Sequence, residues 1–533
     1  MKKSCSVLLG FLISLSLYGQ SGFPFSIELD SFSINGLDGV QSFAKAQSDG
    51  KWLILTGRTN GVHPPQPPFA FETKDENKLI YVVDPIQKKV WQSDLVSLPM
   101  SIQEQMKSTN AEFYQNGDTL YIVGGYGYSS TLQLHVTYPF VTAINVTGLV
   151  TAIMDEQEDI APFFKQGRSP YMQVTGAQLG KIGETYYLVG GQKFTGLYNP
   201  NNGVSFSQAY TKSIRKFKLG LQADTVAIYD IEEITDENSF RRRDYNLVPQ
   251  VFPDGEFGYM LSSGVFQKNL NLPYLSPTDI RANNYQHRSG FEQYLSHYHS
   301  AKFGAYDSDT KKMYSVFLGG MAQYYYEDNT LIQNDSVPFV KTISVIIRDS
   351  LDSLYEVGLV DEMPRLTGSN AEIFYNKSLP FIHDHIVDLS SINEDTILVG
   401  YIFGGIVSQE RNPFALSHNL ASIASNQIYK LKIIRTIVGT HSLIHKKDKF
   451  DFTILANPIV GRVLNVKLLK KIHGVIHVDI LSQDGKILLS QKQPIDNQSI
   501  IHVFLPKEIP SGVYFIQLAQ KNEFAKAKTF IVH

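Results

Sequence analysis

Short runs of four or five consecutive apolar residues, each closing on glycine, recur along the chain at residues 119–125, 185–191, 313–320 and 396–405. Weaker copies stand at 52–57 and 257–264. A run of this length with no polar alternation predicts a strand buried on both faces. The glycines let the chain leave that strand with dihedrals other residues avoid. A second apolar strand follows at 79–85, 213–218, 341–347 and 426–432, and a further one at 90–91 and 225–229. The six copies end at residues 57, 125, 191, 264, 320 and 405, a recurrence that signals repetition of one supersecondary unit. Each unit reads as a small antiparallel sheet that cannot bury both faces alone, and radial packing of such sheets solves that problem.

Two further patterns organise the chain. Residues 25–34 form an apolar-polar strand outside any repeat, and the last repeat lacks a fourth strand, so this segment is expected to complete the sixth unit. Thr109-Asn-Ala-Glu-Phe-Tyr114 echoes Ser369-Asn-Ala-Glu-Ile-Phe374, each ahead of a glycine-pair strand, which predicts two equivalent innermost strands. From about residue 447 the pattern becomes a compact sandwich, with strands at 462–468, 475–481, 487–490, 500–505, 513–518 and 528–533. Its Asp484-Gly485 pair between alternating strands is a hairpin signal.

The apolar strand, double glycine and spaced aromatics, with Tyr81, Asp84, Pro85 and Trp91 in the first unit, resemble the kelch repeat. The segment from 447, with Asn457-Pro458, Asp484-Gly485 and Gly512-Val513-Tyr514, resembles the type A sorting domain of type IX secretion found in Bacteroidetes-type bacteria. Together these imply an all-β chain: a six-bladed kelch-like β-propeller over 20–440, followed by a small β-sandwich domain over 447–533. The second resemblance implies the type IX machinery as partner and a secreted or cell-surface location.

Composition adds compartment and excludes partners. Lys2 and Lys3, an apolar run from Val7 to Leu17 and Gly19 form the parts of a secretory signal peptide over 1–19. That run is too short to span a membrane, and no later stretch is long enough, so no integral membrane segment is expected. The only cysteine, Cys5, lies in the signal and precedes its apolar run, so disulfides, thiolate metal sites and lipidation are not expected. Residues 440–533 carry 13 Lys/Arg against 7 Asp/Glu within a chain of net charge −3, which leaves the main domain acidic and argues against nucleic acid.

In a propeller the chemistry is expected at the channel mouth where the innermost strands begin. The candidates there are Arg58, His63, Glu112, Arg243, His297, His299, Glu372, His383 and His385. His297/His299 and His383/His385 are spaced two apart, so on a strand each pair would share a face and offer imidazoles to a metal, although surface or wall histidines are the plainer reading. Arg241-Arg242-Arg243, and Arg288, suit a carboxylate or phosphate, or else a solvated loop. Tyr324-Tyr325-Tyr326 suit sugar stacking, or packing between sheets. No cofactor is implied: the galactose oxidase relatives of the kelch class need a cysteine joined to tyrosine, which a chain cleaved after residue 19 lacks. Two functions follow. The first is recognition of an extracellular glycan or protein; the alternative is an enzyme acting on a sugar, which requires Arg58, Glu112, Arg243, His299, Glu372 and His385 to converge.

Overall fold

A computed structural model describes residues 23–532 apart from 201–205, 328–329, 415–420, 436–451, 460, 470–472, 483–486, 497–498, 508 and 521–522. Residues 1–19, where a signal peptide is expected, and Asp484-Gly485, where a hairpin turn is expected, lie outside the described residues. The chain divides into two compact units, Phe25–Ile434 and Arg435–His533. Both are built from small β-sheets, many in the first unit and two among the described residues of the second. Among the described residues no helix is long and apolar enough to cross a membrane.

In the first unit, each repeat is an antiparallel sheet in which the apolar run is the second strand. The first strands are Ala44–Ser48, Glu112–Asn116, Gln178–Ile182, Asn246–Val251, Ala301–Asp307 and Leu366–Tyr375. They pair with the glycine-ended strands Lys51–Leu55, Thr119–Val123, Thr185–Val189, Phe257–Ser262, Lys312–Met321 and Thr396–Ser408. We number the sheets 1 to 6 in that order. In sheets 1 to 5 the next two strands follow in sequence; in sheet 6 the outer strand is Phe25–Phe32, which pairs with Ile428–Arg435. The N-terminal strand thus joins the last repeat.

Period-two alternation explains how a strand can be apolar throughout. Leu53 and Leu55 pack with Leu120 and Ile122 of sheet 2. Their neighbours Trp52 and Ile54 pack with Phe374, Tyr401 and Phe403 of sheet 6. Adjacent side chains therefore face different neighbouring sheets. Trp52 stacks on Phe374 at 4.4 Å and 13°, a buried contact of the kind whose truncation costs roughly 3–5 kcal/mol. Sheets 2 and 3, and sheets 3 and 4, share similar apolar seams.

The glycines carry backbone from one sheet to the next. Gly125, at φ 89°, donates its N–H to Val174 O at 2.9 Å. A Cβ there would lie 2.1 Å from Ser108 Oγ, so only glycine fits. Equivalent bonds run from Gly57 to Ser108, Gly191 to Arg242 and Gly264 to His297, and Gly405 reaches back to Val40 at the start of the unit.

A second set of backbone bonds closes on itself. Asn110 N donates to Ser42 O (3.3 Å), Gly176 to Asn110 (3.2 Å), Asp244 to Gly176 (2.8 Å), His299 to Asp244 (2.8 Å), Asn370 to His299 (2.9 Å) and Ser42 to Asn370 (3.4 Å). Five of these residues lead into first strands, and the sixth, Asn370, lies within the first strand of sheet 6. Of the six, Ser42, Asn110, Gly176, Asp244 and Asn370 have positive φ, a conformation that Asn, Asp and Gly tolerate best. The first strand of each sheet packs beside that of the next, and the sixth beside the first.

Two additions bear on the site. A hairpin of Phe381–Ile382 and Ile386–Asp388 joins sheet 5 by parallel pairing with Ala301–Asp307. Between sheets 4 and 5 lies a buried ion network. Arg348 holds Asp279 and Asp352, with Gln250 on its Nε, and Arg288 holds the same two aspartates at 3.0 and 2.6 Å. Phe252 lies between the guanidinium groups of Arg281 and Arg348.

The second unit is a three-stranded sheet (Phe452–Ile454, Val463–Leu468, Ile500–Phe504) with a four-stranded one (Ile487–Asp496, His473–Leu481, Gly512–Gln520, Glu523–Val532). Alternating residues of both, such as Leu464, Val466, Ile476, Val478, Ile501 and Ile516, form one core. Asn457 Oδ1 accepts from Ile531 N (2.8 Å) and its Nδ2 donates to Thr529 O (3.1 Å). Tyr514 Oη donates to Pro510 O (2.8 Å) and its ring meets Phe530. Gly512 opens the strand against Tyr514, where a Cβ would come within 3.4 Å of its hydroxyl. Asn457 and Tyr514 thus hold the final strand in the sandwich, and Pro458 sits beside Asn457 at the sandwich entry.

Candidate functional site

A cavity of about 180 Å3 lies along the six first strands, on the strand side of the backbone circle. All six sheets contribute residues to its wall. Amide side chains fix that wall. Gln115 exchanges bonds with the backbone of Gln47 (2.8 and 2.9 Å), Gln47 does the same with Tyr375 (2.9 and 3.0 Å), and Gln178 bonds Tyr245 and Leu247. Each such staple joins the first strands of neighbouring sheets, so these amides are occupied by framework.

Glu112, at the head of its strand, is 2% exposed. Its Oε1 accepts from Ala177 N at 2.7 Å, while its Oε2 is buried without a hydrogen-bond partner among the described residues. Burial pushes this carboxyl well above the usual range, with the Ala177 bond opposing only in part. Glu372 occupies the equivalent position in sheet 6 and behaves oppositely. Burial would raise it, but His299 and the charges of Lys302 and Lys45 bring it down to about 2. His299 Nε2 lies 2.9 Å from Glu372 Oε1, a contact that helps keep the Glu372 carboxyl ionised. Burial and Lys302 lower His299 below the ordinary imidazole value, despite Glu372, so its ring is mainly neutral at pH 7.

The sheet 5 hairpin crosses the other end of the cavity. Asp384 at its tip accepts from Tyr259 Oη at 2.6 Å and from Tyr114, while burial raises its carboxyl. His385 stacks on Tyr375 at 4.8 Å and 4°, and its Nε2 accepts from Lys377 Nζ. Burial and Lys377 push His385 down to about 3, and burial holds Lys377 at about 8.

The nine candidate residues therefore separate. Glu112, His299, Glu372 and His385 line the cavity. Arg58, His63 and Arg243 are not among the residues that line the cavity, and the two arginine charges both act on His63. Arg58 is buried and bound to Asn60 Oδ1 and Glu72 O, with Asp75 at 3.6 Å. Burial takes His63 down to about 4, against Phe71. Arg243 pairs with Asp244 at 2.6 Å.

The histidine pairs do not act as pairs. His297 and His299 lie ahead of strand Ala301–Asp307, where alternation does not apply. His297 is spent on Gln293 O and Gln323 N. His383 and His385 sit in the hairpin turn with positive φ, and His383 packs on Phe257. Among the described residues no three His, Cys, Asp or Glu side chains are grouped to hold a metal ion.

The arginine run is framework too. Arg242 is fully buried, donates to Ser263 O and Ser276 O, and covers Tyr274; Arg241 covers Tyr210. Of the tyrosine run, Tyr325 is buried under Arg411 and Tyr324 packs on Tyr294.

Sequence reasoning missed Lys45, Lys302, Lys377, Tyr259 and Asp384. The lysines carried a signal: Lys45 stands between Ala44 and Ala46, and Lys302 between Ala301 and Phe303, all four buried. A cation flanked on both sides by buried residues must point to the opposite face of its strand. Here that face is the cavity.

No family model matches the chain, and no curated protein matches it. Among solved structures it is similar to that of YjhT, at 12% identity and TM-score 0.40, over 74% of this chain and 99% of that one. It is also similar to a fungal alcohol oxidase of the AA5 family in complex with copper, at 10% identity and TM-score 0.34, over 95% and 99%. Both likenesses are too low to bear on the chemistry of the cavity.

Proposed function

We propose that residues 25–434 form a six-bladed kelch-like propeller whose axial cavity binds a glycan. The closed circle of six backbone hydrogen bonds supports the propeller, because six residues, each in or just ahead of one of the six first strands, are joined end to end. The observation that carries the binding reading is Glu112. Glu112 lines the cavity, and a carboxyl oxygen buried without a partner costs about 1–3 kcal/mol unless a ligand hydroxyl supplies the missing bond. A cavity of this size suits a sugar unit rather than a protein surface. The test is a glycan array with the purified protein. Retention of specific glycans, lost in Glu112→Ala, supports the reading; an array with no bound glycan refutes it.

A second reading, an enzyme acting on a sugar, has its own support. Burial pushes the Glu112 carboxyl well above its usual range while Glu372 is held down to about 2, and both residues line the same cavity. Two carboxyls driven apart in this way can serve as acid and base. Chromatography of the bound glycan after incubation separates the readings: a new product favours catalysis, and unchanged glycan favours recognition.

The C-terminal sandwich is proposed as a type IX sorting domain delivering an exported protein to the cell surface or medium. Its support is the Asn457-Pro458 entry and the strand that Tyr514 anchors. Deleting residues 447–533 should leave the protein in the periplasm; unchanged export of the truncated chain would refute the role.

A further inference from the structure

Lys45 and Lys302 stand on the first strands of sheets 1 and 5 and line the same cavity. Among the described residues neither ammonium has a hydrogen-bond or ion-pair partner. Lys45 is held only by rings, with Nζ 5.8 Å from Phe113, 5.6 Å from Phe374 and 5.8 Å from Tyr375. The two lysines repel each other, and each is drawn toward Glu372, which lies beyond ion-pair distance of both. Withdrawing an ammonium from water is costly unless an anion meets it, and these two half-buried lysines have only Glu372, with Asp384 acting on Lys45 as well, neither within ion-pair distance of them. The framework amides offer no relief, since Gln47 and Gln115 are bound to each other and to Tyr375. Beside the lysines, Glu112 Oε2 is also buried without a hydrogen bond among the described residues, whereas His299 Nε2 is taken up by Glu372 at 2.9 Å. Lys377 and Asp384 also line the cavity and Asp244 is paired with Arg243, so three ammoniums face the carboxyls of Glu372 and Asp384, an excess of one cation, next to one unfilled hydrogen-bonding position at Glu112.

We infer that the cavity recognises an acidic sugar, whose single carboxylate lies between Lys45 and Lys302 while a neighbouring hydroxyl meets Glu112. This rests on reading the cavity as a glycan site and names the class of glycan. A neutral sugar would leave both ammoniums unmet. An acidic one supplies a monoanion and hydroxyls on neighbouring carbons of one rigid ring.

The experiment is calorimetric titration of the full chain with D-glucuronate, D-galacturonate and D-mannuronate, and with the methyl ester of each. At least one acid should bind at least about tenfold more tightly than its ester, since loss of a charge met by two half-buried cations weakens binding strongly. The ratio should fall toward unity in Lys302→Gln and in Lys45→Gln, each checked for native folding by circular dichroism and thermal melting. Acid and ester binding alike would overturn the inference and leave the glycan reading standing, as would array binding confined to neutral glycans. Failure of every sugar, on the array and in the calorimeter, would remove both. An acid preference that survives in both lysine variants would also overturn the assignment.

Discussion

Two sets of charge buried in residues 25–434 are organised on opposite principles. Between sheets 4 and 5, Arg348 and Arg288 share Asp279 and Asp352, and two cations meet two anions with nearly every donor spent. Along the axis, Lys45 and Lys302 have no ion-pair partner among the described residues, Glu112 keeps an unbonded oxygen, and Glu372 is held down to about 2. The first set is closed and belongs to the framework. The second is open, and an open buried set is what a ligand completes. Burial alone does not separate them, since Arg348 is 1% and Glu112 2% exposed; the state of their hydrogen bonds does.

Breaking the closed set should have the largest effect. Arg348→Met strands Asp279, which is 2% exposed, and should cost about 3–5 kcal/mol in urea unfolding, as removal of one partner from a buried pair does. A loss below about 1 kcal/mol would show that the network is not framework.

Glu112→Gln tests the open set through pH. The folded carboxyl titrates above its ordinary value of 4.5. The stabilising effect of its proton is therefore complete below that pH and fades as pH rises toward the folded value. Glutamine does not titrate, so the variant should gain on the native chain as pH increases above 4.5, by at most about 1.4 kcal/mol per pH unit. Parallel stability curves from pH 4.5 to 8 would contradict a protonated Glu112.

The smallest effect is expected at Lys302. Lys302→Met removes an unpaired half-buried charge and should keep stability within about 1 kcal/mol of the native chain, or raise it, as substitutions that relieve binding-site strain do. A loss approaching that of Arg348→Met would mean that Lys302 has a structural partner and that the comparison fails.

Much of the framework was legible from particular residues. The apolar runs before Gly125 and Gly191 became second strands because unbroken apolar alternation has only one solution, a strand covered on both faces. The echo of residues 109–114 in 369–374 placed Glu112 and Glu372 at matching positions on first strands. The hydrogen-bonded residues of the circle held another signal that went unread: Asn110, Gly176, Asp244 and Asn370 are the types that accept positive φ. The histidine pairs misled because alternation was applied outside strands; His383 and His385 lie in a turn. Arg58 and Arg243 looked like ligand groups because their partners, the Glu72 carbonyl and Asp244, cannot be assigned without a fold.

By itself, the sequence determined where strands begin and end, which faces are apolar and where glycine is compulsory, since these depend on sterics and burial within a few residues. Only the tertiary structure decided which charged groups meet and which are left unmet. Lys45, Glu112, His299, Lys302 and Glu372 come from four sheets. Their ionisation is set by desolvation and by neighbours brought together through the packing of those sheets, a property that no local stretch of chain contains.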